Sequence, residues 1–293
     1  MNVARTVAET RAALAGLPRP LGFVPTMGAL HDGHLALVAA ARTSCATVVA
    51  SLFVNPTQFG AGEDLGSYRR DEARDLELYE QAGVGVVFAP AAAELYPSGF
   101  ATAVHVRGLT EHFEGAARPD HFGGVALVVT KLLNIVRPDT AFFGQKDAQQ
   151  LAVVRRLARD LDLPVEIHAV PTVREQDGLA RSSRNASLTA DERAVAPVLY
   201  RALLAGASAA SRPGATGRDA VAAAALLLLG RAGSSRPSFS IDYLVAVDAD
   251  TFAQTDTLGP RTLLIAAARL GKTRLLDNIS LSPSAYPGGD ATA

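Results

Sequence analysis

What the chain lacks narrows its class before any motif is read. Cys45 is its one cysteine, which excludes an internal disulfide and any multi-cysteine zinc or iron–sulfur site. With helical residues around it, Cys45 reads as core filler. Neither charge is in excess. Lys and Arg number 28 against 29 Asp and Glu, a net charge of -1, so no global field draws the protein to nucleic acid or an anionic membrane. Long hydrophobic runs are missing too: Val221 to Leu229, the longest, is far short of the ~20 residues a bilayer requires, and the first residues form no charged-then-apolar leader. No internal repeat recurs at a period of about 20 to 50 residues. These absences predict a soluble, cytoplasmic globular protein. Its 293 residues, 48% of them hydrophobic, suffice for one large or two medium domains.

The most informative stretch runs from Phe23 to Leu35, where an apolar segment gives way to glycines, two histidines and then a helical pattern. Residues 21–24 are apolar enough for a buried strand, Gly28 and Gly33 let a ligand approach the backbone, and Leu35, Val38 and Arg42 follow at helical spacing. A helix beginning near Asp32 or Gly33 would aim its unpaired N–H groups and positive dipole end at the turn, a cradle for phosphate. His31 and His34 would share one face and donate to phosphate oxygens without two permanent charges. The alternative is two histidines in a surface turn.

Further along, residues 1–17 predict a leading helix, residues 47–54 a buried parallel strand, 71–82 a surface helix and 84–88 another strand. The loop 55–60 then falls where open α/β sheets bind ligands. Asn55 and Gln58 there suit a hydroxyl or carboxylate, or cap their own loop. Residues 91–118 break the pattern, with 103–106 as an edge strand, and Arg118 precedes a long apolar helix over 124–136. That arginine meets either an anion or a nearby carboxylate. Residues 140–144 form a strand that delivers Gln145, Lys146 and Asp147 ahead of a helix over 148–161. Lys146 is placed to reach phosphate oxygens, Asp147 to accept from ribose hydroxyls and Gln150 to face the same crevice. After a strand over 165–170, the polar segment 174–185 carries Ser182 and Ser183 between Arg181 and Arg184, a loop suited to closing over a triphosphate or to serving as a solvated linker.

Beyond Thr189 the composition shifts to alanine and leucine. Thr189 and Glu192 make a capping box, residues 211–218 a linker, 220–229 a second helix, and 239–247, 262–268 and 273–279 three strands. The fold class expected is α/β: a Rossmann-like doubly wound parallel sheet domain (1–174), then a smaller α+β C-terminal lid domain (175–281) and a disordered tail (282–293).

Laid side by side, these stretches resemble the pantothenate synthetase (pantoate–β-alanine ligase) family of the nucleotidyltransferase superfamily, which also holds the class I aminoacyl-tRNA synthetases. Pro25-Thr26-Met27-Gly28-Ala29-Leu30-His31-Asp32-Gly33-His34 is similar to that family's HIGH motif, and Ser182-Ser183-Arg184-Asn185 to its KMSKS loop. Residues 53–59, 143–147 with Gln149 and Gln150, and 170–175 resemble further blocks in the same order, so the likeness covers roughly residues 5 to 281. It implies a two-step ligation in which pantoate's carboxylate attacks the α-phosphorus of ATP and the amine of β-alanine then displaces AMP. His31, His34, Lys146, Ser182, Ser183 and Arg184 are the catalytic candidates, with Mg²⁺ on the triphosphate. By the same likeness Gln58 and Gln150 hold pantoate, Gly144 and Asp147 hold ribose, Val173 meets adenine through its backbone, Met27 lines the site, and Arg118 lies near β-alanine and phosphate. A homodimer is implied as well. Two departures stand out: Arg181 where the family carries an apolar residue, expected to point to solvent, and Ala148 where an aromatic is common. The rival readings are another nucleotidyltransferase of the superfamily, which would need a basic pocket where Gln58 and Gln150 are neutral, and a non-catalytic nucleotide-binding module.

Overall fold

A computed structural model describes residues 1–60, 65–66, 68, 70–230 and 237–282. Most of the expected tail, from residue 283 on, lies outside the described residues. The chain divides into two compact units: residues 1–144 with 150–170, and residues 145–149 with 171 onward. The expectation from sequence put the boundary at 174/175.

The N-terminal unit alternates strand and helix: β1 (Asn2–Ala4), α1 (Val7–Leu14), β2 (Leu21–Thr26), α2 (Asp32–Ser44), β3 (Thr47–Leu52), α3 (Glu72–Gln81), β4 (Val86–Phe88), the single turns α4 (Ala92–Leu95) and α5 (Glu114–Ala117), then α6 (His121–Val136), β5 (Thr140–Gly144), α7 (Ala148–Asp160) and β6 (Glu166–Val170). All six strands are parallel, in the order β1-β4-β3-β2-β5-β6. The β-branched run of β3 and the Leu21-Gly22-Phe23-Val24 segment of β2 are buried, as strands covered on both faces must be. Val24, Leu37, Val38, Tyr79, Val87 and Phe142 belong to the core packed there.

Strand order reverses between β2 and β5. From β2 the chain moves outward through β3 and β4, whereas β5 and β6 build on the other side. Such a switch point opens a crevice at the carboxyl ends of the two flanking strands. Here those ends are Thr26, which leads into Met27 to His34, and Gly144.

Two local expectations change. The leading helix begins only after a Thr6–Glu9 capping box, and Val3 ahead of it belongs to β1, a three-residue strand on the sheet edge. Residues 103–106 pair with neither edge and run as irregular chain.

The C-terminal unit holds α8 (Ala190–Val195), α9 (Val198–Ala210), α10 (Gly217–Leu229) and the antiparallel sheet β7 (Phe239–Asp248), β8 (Thr262–Leu270), β9 (Thr273–Ser280), ordered β7-β8-β9. Leu199, Leu203 and Leu228 of its helices share a core with Leu264 and Leu270 of β8. The capping box read from Thr189 and Glu192 is present. Among the described residues, no helix is long and apolar enough to cross a membrane.

Candidate active site

The Met27–His34 turn leaves β2 held by its own neighbours. Gly28 has φ +89°, and a Cβ there would lie 2.7 Å from Asp75 Oδ2. The Asp75 carboxylate, buried on α3, accepts the backbone N–H of Ala29 and of Leu30, each at 2.8 Å. Four residues along the same helix face, the Tyr79 hydroxyl lies 2.8 Å from Thr26 Oγ1. Thr26 donates to Ser51 O at 2.8 Å, so Tyr79 donates to Thr26. Burial above all raises the Tyr79 pKa, and the Asp75 charge adds to it, which keeps the phenol protonated for that role. Asp75 is a site-forming residue that sequence reasoning did not place. Its signal was a carboxylate one turn from Tyr79 on a buried helical stripe.

His31 is the N-cap of α2. Its Nδ1 accepts the N–H of Gly33 at 3.1 Å, and its own N–H donates to His34 Nδ1 at 3.3 Å, a reciprocal capping box made of imidazoles. The rings lie 4.1 Å apart, centroid to centroid. A nitrogen that accepts carries no proton. Each neutral ring therefore holds its proton on Nε2, so both present an N–H donor at the positive end of a helix.

At the end of β3, Pro56–Gln58 forms a 3₁₀ turn. Gln58 is buried, its Nε2 lies 3.1 Å from Met27 Sδ, and its Oε1 accepts from Asn55 Nδ2 at 3.1 Å. Asn55 Nδ2 also donates to Gly124 O, and Asn55 Oδ1 accepts from Thr57 and the Tyr96 hydroxyl. The Asn55 amide is thus held within the protein on both its nitrogen and its oxygen, and it orients Gln58. The turn packs directly on α6, because a Cβ on Gly124 would lie 2.3 Å from Thr57 O and 2.5 Å from Gln58 Cα. Arg118 and His121 lie near the Gln58 carbonyl, Nη2 at 3.5 Å and Nδ1 at 3.1 Å. Gln150 stands half-buried one turn into α7. At the end of β5, a Cβ on Gly144 would meet nothing within 4 Å among the described residues, so their packing does not demand glycine there.

In the C-terminal unit, Gln145–Asp147 is a 3₁₀ turn and Ser183–Ser187 another. Lys146, Ser182, Arg184 and Asn185 line one recess with Arg274 and Asp277. Ser182 caps its turn, its Oγ accepting the Arg184 N–H at 3.3 Å, while Ser183 is half-buried and Arg184 and Asp147 are exposed. The segment read as a polar loop is a small hairpin. Arg174 bridges Ala180, and Val173 O accepts the Arg181 N–H at 2.9 Å. Arg193 braces it with 2.6 Å bonds to Glu175 and Asp177. Burial pushes the Glu175 carboxyl up, but bonds from Asn185 and Arg193 and the charges of Arg193 and Arg181 hold it below its ordinary value. Arg181, expected in solvent, is half-buried, and its charge acts on Glu175. Among the described residues no group of three or more His, Cys, Asp or Glu is placed to hold a metal ion.

The geometry defines a two-unit α/β protein, a doubly wound unit with a helix N-terminus at its switch point and a small α+β unit with a recess lined by Lys146, Arg184 and Arg274. The comparisons are specific. The model of the family described as pantoate-beta-alanine ligase matches residues 2–280, and the chain belongs to that family. It is 50% identical to the pantothenate synthetase of Rhizorhabdus wittichii, over 97% of this chain and 100% of that one, and 54% identical to that of Chloroflexus aurantiacus, over 95% and 97%. The crystal structure of the pantothenate synthetase from Thermus thermophilus superposes with a TM-score of 0.89 at 50% identity, covering 97% of this chain and 100% of that one. A Francisella tularensis pantoate-beta-alanine ligase, solved with beta-gamma ATP and beta-alanine, matches with a TM-score of 0.77 at 29% identity over 96% and 98% of the two chains.

Proposed function

We propose that this pantoate–β-alanine ligase family member couples pantoate to β-alanine with ATP through a pantoyl adenylate. The observation that carries the reading is the imidazole capping box, two Nε2–H donors at a helix N-terminus beside the switch point. In the first step a pantoate carboxylate oxygen bonds to the α-phosphorus and the bond to pyrophosphate breaks. Charge builds on the phosphoryl oxygens, where His31 and His34 donate hydrogen bonds and Lys146 supplies a cation. In the second step the neutral β-alanine amine attacks the acyl carbon, the bond to AMP breaks and the amine gives up a proton. Proximity supplies much of that step, since adenylate is a good leaving group.

Gln58, Gln150 and Asn55 serve pantoate, Asn55 also keeping Gln58 in register. Gly144 and Asp147 serve the ribose, Val173 the adenine, Met27 the wall beside Gln58, Ser182, Ser183 and Arg184 the phosphates, and Arg118 the amino acid's carboxylate. The N-terminal unit thus carries the pantoate groups and the histidines, the C-terminal unit the lysine and the serine loop. Mg²⁺ would ride on the triphosphate oxygens, and no step above depends on it. A homodimer in the cytoplasm completes the reading, with light scattering as the direct check on the dimer. The test is isotope exchange: pantoate-dependent exchange between ATP and pyrophosphate without β-alanine, with AMP released only once β-alanine is added. No exchange with any hydroxy acid sinks the reading.

A further inference from the structure

Lys146 lies on a short turn whose carbonyls are gripped from β9. The Asn278 side-chain NH₂ donates to Gln145 O and to Lys146 O, both at 2.9 Å. Two adjacent carbonyls need two protons from one point. A primary amide has them, a hydroxyl has one and a carboxylate none. Asn278 is itself fixed: its backbone N–H donates to Asp277 Oδ1 at 2.8 Å. The Asp277 carboxylate, 4% exposed, receives both arms of Arg174, at 2.7 and 3.0 Å. The Arg174 guanidinium stacks 3.6 Å from the centre of the Tyr200 ring. Tyr200 in turn fits against Gly178, where a Cβ would come within 2.5 Å of it. Each link is charge-assisted, bidentate or stacked, the kinds of contact that hold one geometry.

We propose that Asn278 is a positioning residue for the ligation reaction: anchored by Arg174 and Asp277, it fixes the Gln145–Lys146 turn and so the origin of the Lys146 ammonium. The proposal rests on Lys146 binding ATP phosphate as read above. A displaced turn misaims the cation by the fraction of an ångström to which phosphoryl transfer is sensitive.

The experiment uses the full chain with Asn278→Ala, Asn278→Asp, Asn278→Ser, Lys146→Ala and the Asn278→Ala/Lys146→Ala double variant. It reads melting temperature, ATP affinity by calorimetry and steady-state kinetics. Asn278→Ala is expected to lose roughly tenfold in kcat/KM for ATP with the pantoate KM within about twofold, Asn278→Asp at least as much, and Asn278→Ser, which keeps one donor, to fall between wild type and Ala. The double variant should match Lys146→Ala, because a clamp acting through Lys146 has nothing left to position. Asn278 variants within twofold of wild type for ATP, or an Asn278→Ala loss as large in the Lys146→Ala background, overturn the proposal and leave the Lys146 reading intact. Wild-type turnover and ATP affinity in Lys146→Ala overturn that reading itself. Should Asn278→Ala fail to fold, Asn278→Ser and Asn278→Asp carry the same comparison.

Discussion

The backbone N–H of His31 donates to Nδ1 of His34, so the second histidine caps the helix while its opposite nitrogen keeps the proton. Capping and chemistry can be separated. His34→Ala should lose the cap, about 0.5–2 kcal/mol of stability, together with two or more orders of magnitude in pantoate-dependent ATP–pyrophosphate exchange. His34→Gln retains an acceptor at the N3 position of a capping box and should melt near wild type while still losing most of the exchange rate. Wild-type exchange rates in both variants would remove His34 from the chemistry.

Asp75 binds the two consecutive N–H groups of Ala29 and Leu30, and its loss leaves those donors without an acceptor. Asp75→Ala should therefore destabilise by about 2–6 kcal/mol, at roughly 1–3 kcal/mol for each unsatisfied donor. The exchange rate should fall as well, since the same two N–H groups shape the entry to α2. Urea denaturation and the exchange assay together check it. Unchanged stability would mean that the loop finds other acceptors.

Much of this was legible in sequence because its signals are local. The β-branched run at Thr47–Leu52, the glycine turn after β2 and the Thr189–Glu192 box each depend on a few adjacent residues. The same locality hid other features. A strand of three residues, β1, has no measurable period and takes its identity from pairing with β4, more than 80 residues away. Asp75 meets Ala29 at a separation of 46 positions and Asn278 meets Lys146 at 132, so no window along the chain holds both partners. The role of His31 as a cap was obscured because the usual capping residues are Ser, Thr, Asp and Asn. Asn55 was read from its residue type, which shows that it can bond a hydroxy acid but not that Gly124, Tyr96 and Gln58 also bond it.

Two glycines give opposite expectations. At Gly124 a Cβ would strike the backbone of Thr57 and Gln58, so Gly124→Ala should push the Gln58 turn off α6, lower the melting temperature and raise the pantoate KM. At Gly144 the added methyl meets nothing within 4 Å among the described residues, and Gly144→Ala should melt at or slightly above wild type, as removing backbone freedom from the unfolded state adds about 0.4–1 kcal/mol. Its cost should fall on ATP instead, as a raised KM. Steady-state kinetics with each substrate varied, run beside thermal melts, separates the two. A Gly144→Ala enzyme with an unaltered ATP KM would remove Gly144 from the nucleotide site.

Arg193 ties the serine hairpin to acid. Its bond holds the Asp177 carboxyl below the ordinary 3.8, and together with Asn185 it keeps Glu175 below the ordinary 4.5 despite burial. Groups whose folded pKa lies below the unfolded one contribute stability that is fully present above the unfolded value and is lost as pH falls through the folded one. The advantage of wild type over Arg193→Gln in urea midpoint should thus stay constant above about pH 5 and shrink as the pH drops below about 4. Arg193 stays protonated throughout that range, so the titration belongs to the carboxylates. Both partners are partly exposed, and added salt should narrow the gap at neutral pH. A gap that stays constant on acidification would show that Arg193 acts through packing instead, its aliphatic stem filling space beside the hairpin.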